Sequence, residues 1–268
     1  MTDLADTLRP FIDGVLGCAP PHRAVIASDA DGTIWRGDIG DDLFIEALTR
    51  HPVGPVARED LQRHARELLG SSAPSSLPDL AHAFVDAYRA GHIDIVRICE
   101  LQACALGDRS VAELDALVDV VAGAARERVR PDVRALFDLA ARAGVAVHVV
   151  SGSLGLAVAR TLDAAGVAYA SVSGAELAVD DAHVRAALAG PIPLHAGKVR
   201  ALEAVGAWPP ALGLGDGGWD APFLQGCEAA LLVHPAPALA RAMAGHPRLL
   251  VLRDGTVAAL EPPLENVR

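Results

Sequence analysis

Three short aliphatic runs in this chain each end directly on a polar motif: AVIAS at 24–28 on DADGT, VAVHVV at 145–150 on SGS, and ALGLG at 211–215 on DGGWD. Runs of that length and composition read as buried strands. Helical patterns separate them. Pro131 suits the first turn of a helix over 131–143 that Gly144 ends, LAVARTLDAAG gives a helix ending at Gly166, and others begin near Lys198 and span 219–226 and 237–244. Further strands are expected at 167–172, 229–233 and 248–252, with a hairpin around Asp180–Asp181. Strands alternating with helices imply an α/β, Rossmann-like fold: a mostly parallel sheet with helices on both faces. Ligands of such sheets sit beyond the carboxyl ends of the strands, so the three motifs converge on one edge.

From about Asp41 to Val129 the pattern is helical, broken at HPVGP and SSAPSSLP. Ser110 and Glu113 have capping-box spacing, and Val111, Leu114, Leu117, Val118 and Val121 then form one apolar stripe. Residues 41–129 therefore read as an inserted helical subdomain, with residues 1–40 and 130–268 forming the core. Leu4, Leu8, Phe11, Ile12 and Val15 give an amphipathic helix at the start. With 51% hydrophobic but only 4% aromatic residues, the interior is built from Ala, Leu and Val.

The net charge of −11 and the lack of any Lys/Arg run argue against nucleic acid as a partner. No apolar run reaches membrane-spanning length, and the first residues lack a basic start followed by an apolar stretch; a cytoplasmic, membrane-free protein is expected. Cys18, Cys99, Cys104 and Cys227 show no CxxC spacing and read as reduced thiols. No HxH or HExxH pair suggests zinc, and neither GxGxxG nor GxxxxGK[ST] is present. Monomer and homodimer remain equally compatible with the chain.

Asp29 and Asp31 lie two apart at a strand end, where side chains repeat with period two. Two carboxylates so close call for a cation, and Asp216 at another strand end is the natural third ligand for a divalent, oxygen-loving ion. Gly32 permits a tight turn and Thr33 adds a hydroxyl. Ser151 and Gly152, closing a strand and opening a helix, suit an anion such as phosphate. Lys198 is the only lysine in the chain, at the start of a helix where dipole arguments alone would not put it. Asp220 lies four residues past Asp216, placed to hold waters or orient Lys198.

Together the order DxDGT, strand–Ser–Gly, lone Lys and strand–GDGxxD resembles the motifs of the haloacid dehalogenase (HAD) superfamily, over about 24–40 and 130–253. The helical insert between the first and second motifs is similar to the cap of its phosphoserine-phosphatase-like branch. The resemblance implies Asp29 as a nucleophile giving an aspartyl-phosphate and Asp31 as general acid/base. It implies Mg²⁺ held by the Asp29 side chain, the Asp31 backbone carbonyl and Asp216, with Ser151 and Lys198 neutralising phosphoryl oxygens. Thr33, Gly152 and Asp38 complete the expected phosphate and substrate contacts; Asp38 stands where phosphoserine phosphatases carry a glutamate for the substrate amine. Asp41, Asp42 and Glu46 add negative charge nearby, although Asp41 or Asp42 also reads as a helix N-cap. Trp35 offers either a cation–π face or a packing surface. Arg89 and Arg97 are candidates for pairing a substrate carboxylate. The expected activity is Mg²⁺-dependent hydrolysis of a small phosphorylated metabolite. The alternatives are phosphoryl transfer to an alcohol and a non-catalytic Mg²⁺/phosphate-binding regulatory module.

Overall fold

The computed structural model describes residues 24–259 continuously, and Arg9, Asp13, Gly14 and Gly17 besides. The expected opening helix, carried by Leu4, Leu8, Phe11, Ile12 and Val15, lies outside the described residues, as does Cys18. The strands in chain order are β1 (Val25–Ser28), β2 (Ala146–Leu154), β3 (Ser171–Ala175), β4 (Leu177–Asp180), β5 (His183–Leu188), β6 (Leu212–Gly215), β7 (Ala229–Val233), β8 (Leu249–Arg253) and β9 (Thr256–Ala259). Seven of them make one sheet in the order β3-β2-β1-β6-β7-β8-β9, parallel except for β9, which returns antiparallel on β8.

Both faces of this sheet are covered, and the pleat shows why. Ile26 of β1 and Leu231 of β7 belong to one apolar cluster, whereas their neighbours Ala27 and Leu232 belong to another on the opposite face. The first cluster takes in Val133 and Phe137 of α6 (Pro131–Arg142) and Val158 and Leu162 of α7 (Gly155–Ala165). The second takes in Leu202 of α8 (Ala196–Ala204), Phe223 of α9 (Ala221–Gly226) and Leu239 of α10 (Pro237–Met243).

Between β1 and α6 run α1 (Ile39–Thr49), α2 (Pro55–Leu69), α3 (Leu77–Arg89), α4 (Ile95–Leu106) and α5 (Val111–Ala125). They carry a third cluster around Phe44, Leu61, Leu80, Phe84 and Leu101. The Ser110–Glu113 capping box is present, and Leu114, Leu117, Val118 and Val121 of α5 are buried, though against the sheet's own cluster. The β4–β5 hairpin leaves the sheet and joins these helices through the backbone: Asp108 N donates to Val184 O, and Val184 N to Arg109 O. Gly107 makes the approach possible, since a Cβ there would lie 2.9 Å from the Ala186 Cα.

Three expectations shift. β2 runs through the SGS motif to Leu154, so Ser151 does not open a helix; α7 starts at Gly155 without any side-chain cap, after an irregularity in the pairing with β3. β3 lies a few residues later than expected. β9 was not expected, although Asp254–Gly255 before it is a recognisable hairpin turn.

Candidate active site

Asp29 follows β1 directly, and its backbone N–H donates to Leu214 O of β6, fixing the acidic loop to the middle of the sheet. The chain then turns sharply: Thr33 and Ile34 N–H both donate to Ala30 O, and Gly32 sits at φ +75°. A Cβ at Gly32 would lie 2.5 Å from the Asp216 carboxyl carbon. Only glycine lets the turn approach that carboxylate so closely. Thr33, wholly buried, does not line the cavity; its hydroxyl donates to Asp29 Oδ2 at 2.9 Å, with Asp216 Oδ1 3.4 Å away as the alternative acceptor.

Lys198, 2% exposed, is ion-paired to Asp29 and, at 2.7 Å, to Asp220. It also donates to Val150 O at 3.2 Å. Asp220 in turn accepts the backbone N–H groups of Asp216 and Gly217 at 3.1 and 3.0 Å. Asp220 is thus the hinge between the amine and the strand end. Carboxylate oxygens of Asp29, Asp216 and Asp220 come within 4.8 Å of one another.

This grouping differs from the one expected. The Asp31 carboxylate turns away from Asp216: Oδ1 accepts from Trp35 Nε1 at 2.8 Å and Ile39 N at 2.7 Å, and Oδ2 from Ser153 Oγ at 2.7 Å and Ser151 Oγ at 3.3 Å. The tight turn points it across the cavity. Trp35 is therefore a wholly buried donor to Asp31 with no free face for a cation. Asp38, not Asp41 or Asp42, caps α1, accepting from Asp41 N at 3.0 Å.

Burial, with repulsion from Asp220 second, pushes Asp29 up to about 7 despite Lys198. Burial and then Asp29 and Asp220 push Asp216 to about 8. Asp31 rises to about 6 through burial and then Asp38, against the opposing hydrogen bonds. Burial pulls the Lys198 ammonium down, but Asp220 and Asp29 outweigh it and hold the group above its ordinary value. Three clustered carboxylates offering only oxygen, two of them raised by burial and then by their acidic neighbours, with one ammonium between them, fit a hard dication such as Mg²⁺.

Asp29, Asp31, Asp38, Ser151, Gly152, Lys198, Asp216 and Asp220 line one cavity of about 430 Å³, the size of a small-molecule site. Arg89 and Arg97 do not line it: Arg89 pairs with Asp41 at 2.9 Å, and Arg97 with Glu100 at 2.8 Å. Two residues went unnoticed in the sequence. Ser153 is legible as the residue two on from Ser151 once β2 is extended. Arg130, beyond reach of any pattern, clamps Gly32 O with Nε at 3.1 Å and Nη2 at 3.0 Å.

The family description haloacid dehalogenase-like hydrolase matches residues 26–225. The chain belongs to that family. Among curated proteins nothing matches. Among solved structures, a protein of unknown function from Bordetella pertussis Tohama I shares the fold with a TM-score of 0.65 at 17% identity, over 85% of this chain and 97% of that one. A substrate-bound phosphoserine phosphatase aligns with a TM-score of 0.55 at 14% identity, over 84% of this chain and 91% of its own. Cytosolic 5'-nucleotidase IIIB bound to cytidine aligns at 0.57 and 16% identity, over 91% and 84%. In this HAD chain the DxDGT loop, the Ser–Gly strand end, Lys198 and the GDGxxD loop all reach one rim.

Proposed function

We propose that the protein is a Mg²⁺-dependent phosphomonoesterase of a small phosphorylated metabolite, working through an aspartyl-phosphate at Asp29. The observation that carries this is Lys198, buried between Asp29 and Asp220 at the floor of an acidic cavity. A phosphate monoester is a dianion, and a carboxylate approaches it only where cations cancel the repulsion. Mg²⁺, held by Asp29, Asp216 and the Asp31 backbone carbonyl, would supply that charge neutralisation. Lys198 neutralises phosphoryl oxygens and holds one Asp29 oxygen, while Thr33 holds the other, so the nucleophile is fixed before substrate arrives.

Asp29 forms the new bond to phosphorus as the bond to the leaving oxygen breaks. Asp31, raised to about 6, gives that oxygen its proton and then takes one from the water that hydrolyses the acyl phosphate, regenerating both carboxyls. Ser151 and Ser153 steady Asp31 from β2. Residues 41–129 act as a cap over a core of 1–40 and 130–268, carrying one wall of the cavity and excluding water. Asp31 favours hydrolysis over a binding-only role, because a site that merely holds phosphate has no use for an acid/base. No described helix is long and apolar enough to cross a membrane, and Cys99, Cys104 and Cys227 are buried free thiols, which supports a reducing, cytoplasmic setting.

Asp29→Asn should abolish hydrolysis of an aryl phosphate with its circular dichroism unchanged; undiminished turnover rules out the nucleophile. Asp31→Asn should damage alkyl phosphates far more than aryl phosphates, which leave with little need of a proton. Equal losses contradict its role as the acid.

A further inference from the structure

The wall of the cavity facing the phosphate end is built by Asp38, Asp41, Tyr88, Ile98, Cys99 and Gln102. Asp41 is 3% exposed, and its two oxygens are used unequally. Oδ2 accepts from Arg89 Nη2 at 2.9 Å, while Oδ1 is buried with no hydrogen-bond partner among the described residues. An unpaired buried carboxylate oxygen costs free energy that a bound donor recovers. As it stands the oxygen is closed to solvent. The last torsion of a carboxylate is soft, however, so a donor in the cavity can draw one oxygen round while Arg89 keeps the other.

The charge of that wall selects the kind of donor. Among the described residues Lys198 is the only cation lining the cavity, and both its carboxylate partners lie at the phosphate end. Asp38 stands beside Asp41, held by α1's own backbone. A hydroxyl would satisfy Asp41 Oδ1 but leave the negative excess in place. A quaternary ammonium would offset the charge but has no N–H to give. A carboxylate on the substrate would meet two aspartates, with the nearest cation, Arg89, outside the lining and already paired with Asp41. Only a protonated amine without a neighbouring carboxylate answers all three conditions.

Resting on the phosphomonoesterase reading, we propose that the substrate is the phosphate monoester of an amino alcohol, with Asp41 receiving its ammonium group. Ile98 and Cys99 give the carbon chain between amine and phosphate an apolar surface. Arg89 aims Asp41 from behind and opposes the rise that burial imposes on its carboxyl, and is a positioning residue.

The test compares kcat/KM of the Mg²⁺-loaded protein on phosphoethanolamine, its hydroxyl analogue 2-hydroxyethyl phosphate, phosphocholine and phosphoserine, with 4-nitrophenyl phosphate as reporter of the chemistry. The amine should exceed the hydroxyl ester by about 10- to 100-fold, the worth of a charge-assisted hydrogen bond. Phosphocholine and phosphoserine should fall well below phosphoethanolamine. Asp41→Asn should collapse the amine-to-hydroxyl ratio towards one, chiefly through KM. Hydrolysis of the aryl ester with no amine preference overturns this proposal and leaves the phosphatase reading standing. Phosphocholine or phosphoserine matching the primary amine overturns the role given to Asp41. Failure on every ester, the aryl one included, overturns both readings. The wild-type ratios decide the matter even where Asp41→Asn does not fold.

Discussion

Asp29 makes the metal-free protein lose stability as pH rises, and the size of the loss follows from the site. The carboxyl is 6% exposed and raised from 3.8 to about 7. Between those values the folded state keeps a proton that the unfolded chain has released, so stability falls as pH climbs through that window. The sign is opposite to that of a salt-bridged surface carboxylate. A displacement of roughly 3 units at about 1.4 kcal/mol each amounts to about 4 kcal/mol, or roughly 10 °C for a chain of this size. Asp29→Asn removes the effect, because an amide mimics the protonated acid at every pH. In chelator, thermal unfolding followed by circular dichroism from pH 5 to pH 8 should show the variant gaining on the wild type by about 3 kcal/mol, the roughly 2 units of that displacement that lie above pH 5. Adding Mg²⁺ at pH 8 should return most of the loss to the wild type and little to the variant. A gap between the two proteins that does not change with pH would refute the reasoning, because it would mean Asp29 is not held protonated by burial beside Asp220.

Gly32→Ala should lower turnover by at least tenfold and Tm by several degrees, since it strains a left-handed residue and displaces Asp216; activity and melting of the purified variant check this. Arg130→Ala should cut kcat about tenfold with KM little changed, because only the loop holding Asp29 and Asp31 loosens, and Arg130→Lys should recover part of it. Equal effects of the two Arg130 variants on kcat and KM would deny the clamp.

The sheet was legible because its strands are short aliphatic runs closed by polar residues, and AALLV at 229–233 is buried along its whole length. Gly144 and Gly166 mark helix ends by their positive φ, a local requirement visible in one residue. The α7 start was misplaced for an equally local reason: a Ser–Gly step looks like a helix cap, whereas Ser151 Oγ accepts from Ser153 N inside an extended strand. Asp38 was read as a substrate contact, and it also caps α1, since one short side chain can reach both the cavity and a backbone N–H.

Strand-end position is encoded in hydrophobic spacing, so the chain alone brought the loops of Asp29, Ser151 and Asp216 to a common rim, while Lys198, at a helix start, was placed there only by the resemblance. Side-chain direction there is decided by groups far away in sequence. Trp35 and Ser153 turn Asp31 from the carboxylate cluster, Lys198 draws Asp220 into it, Arg89 takes one Asp41 oxygen and leaves the other unpaired, and Arg130 clamps Gly32 from 98 residues away. Hydrogen bonds and repulsions act over a few ångströms of space whatever the chain length between their partners, and folding alone sets those distances.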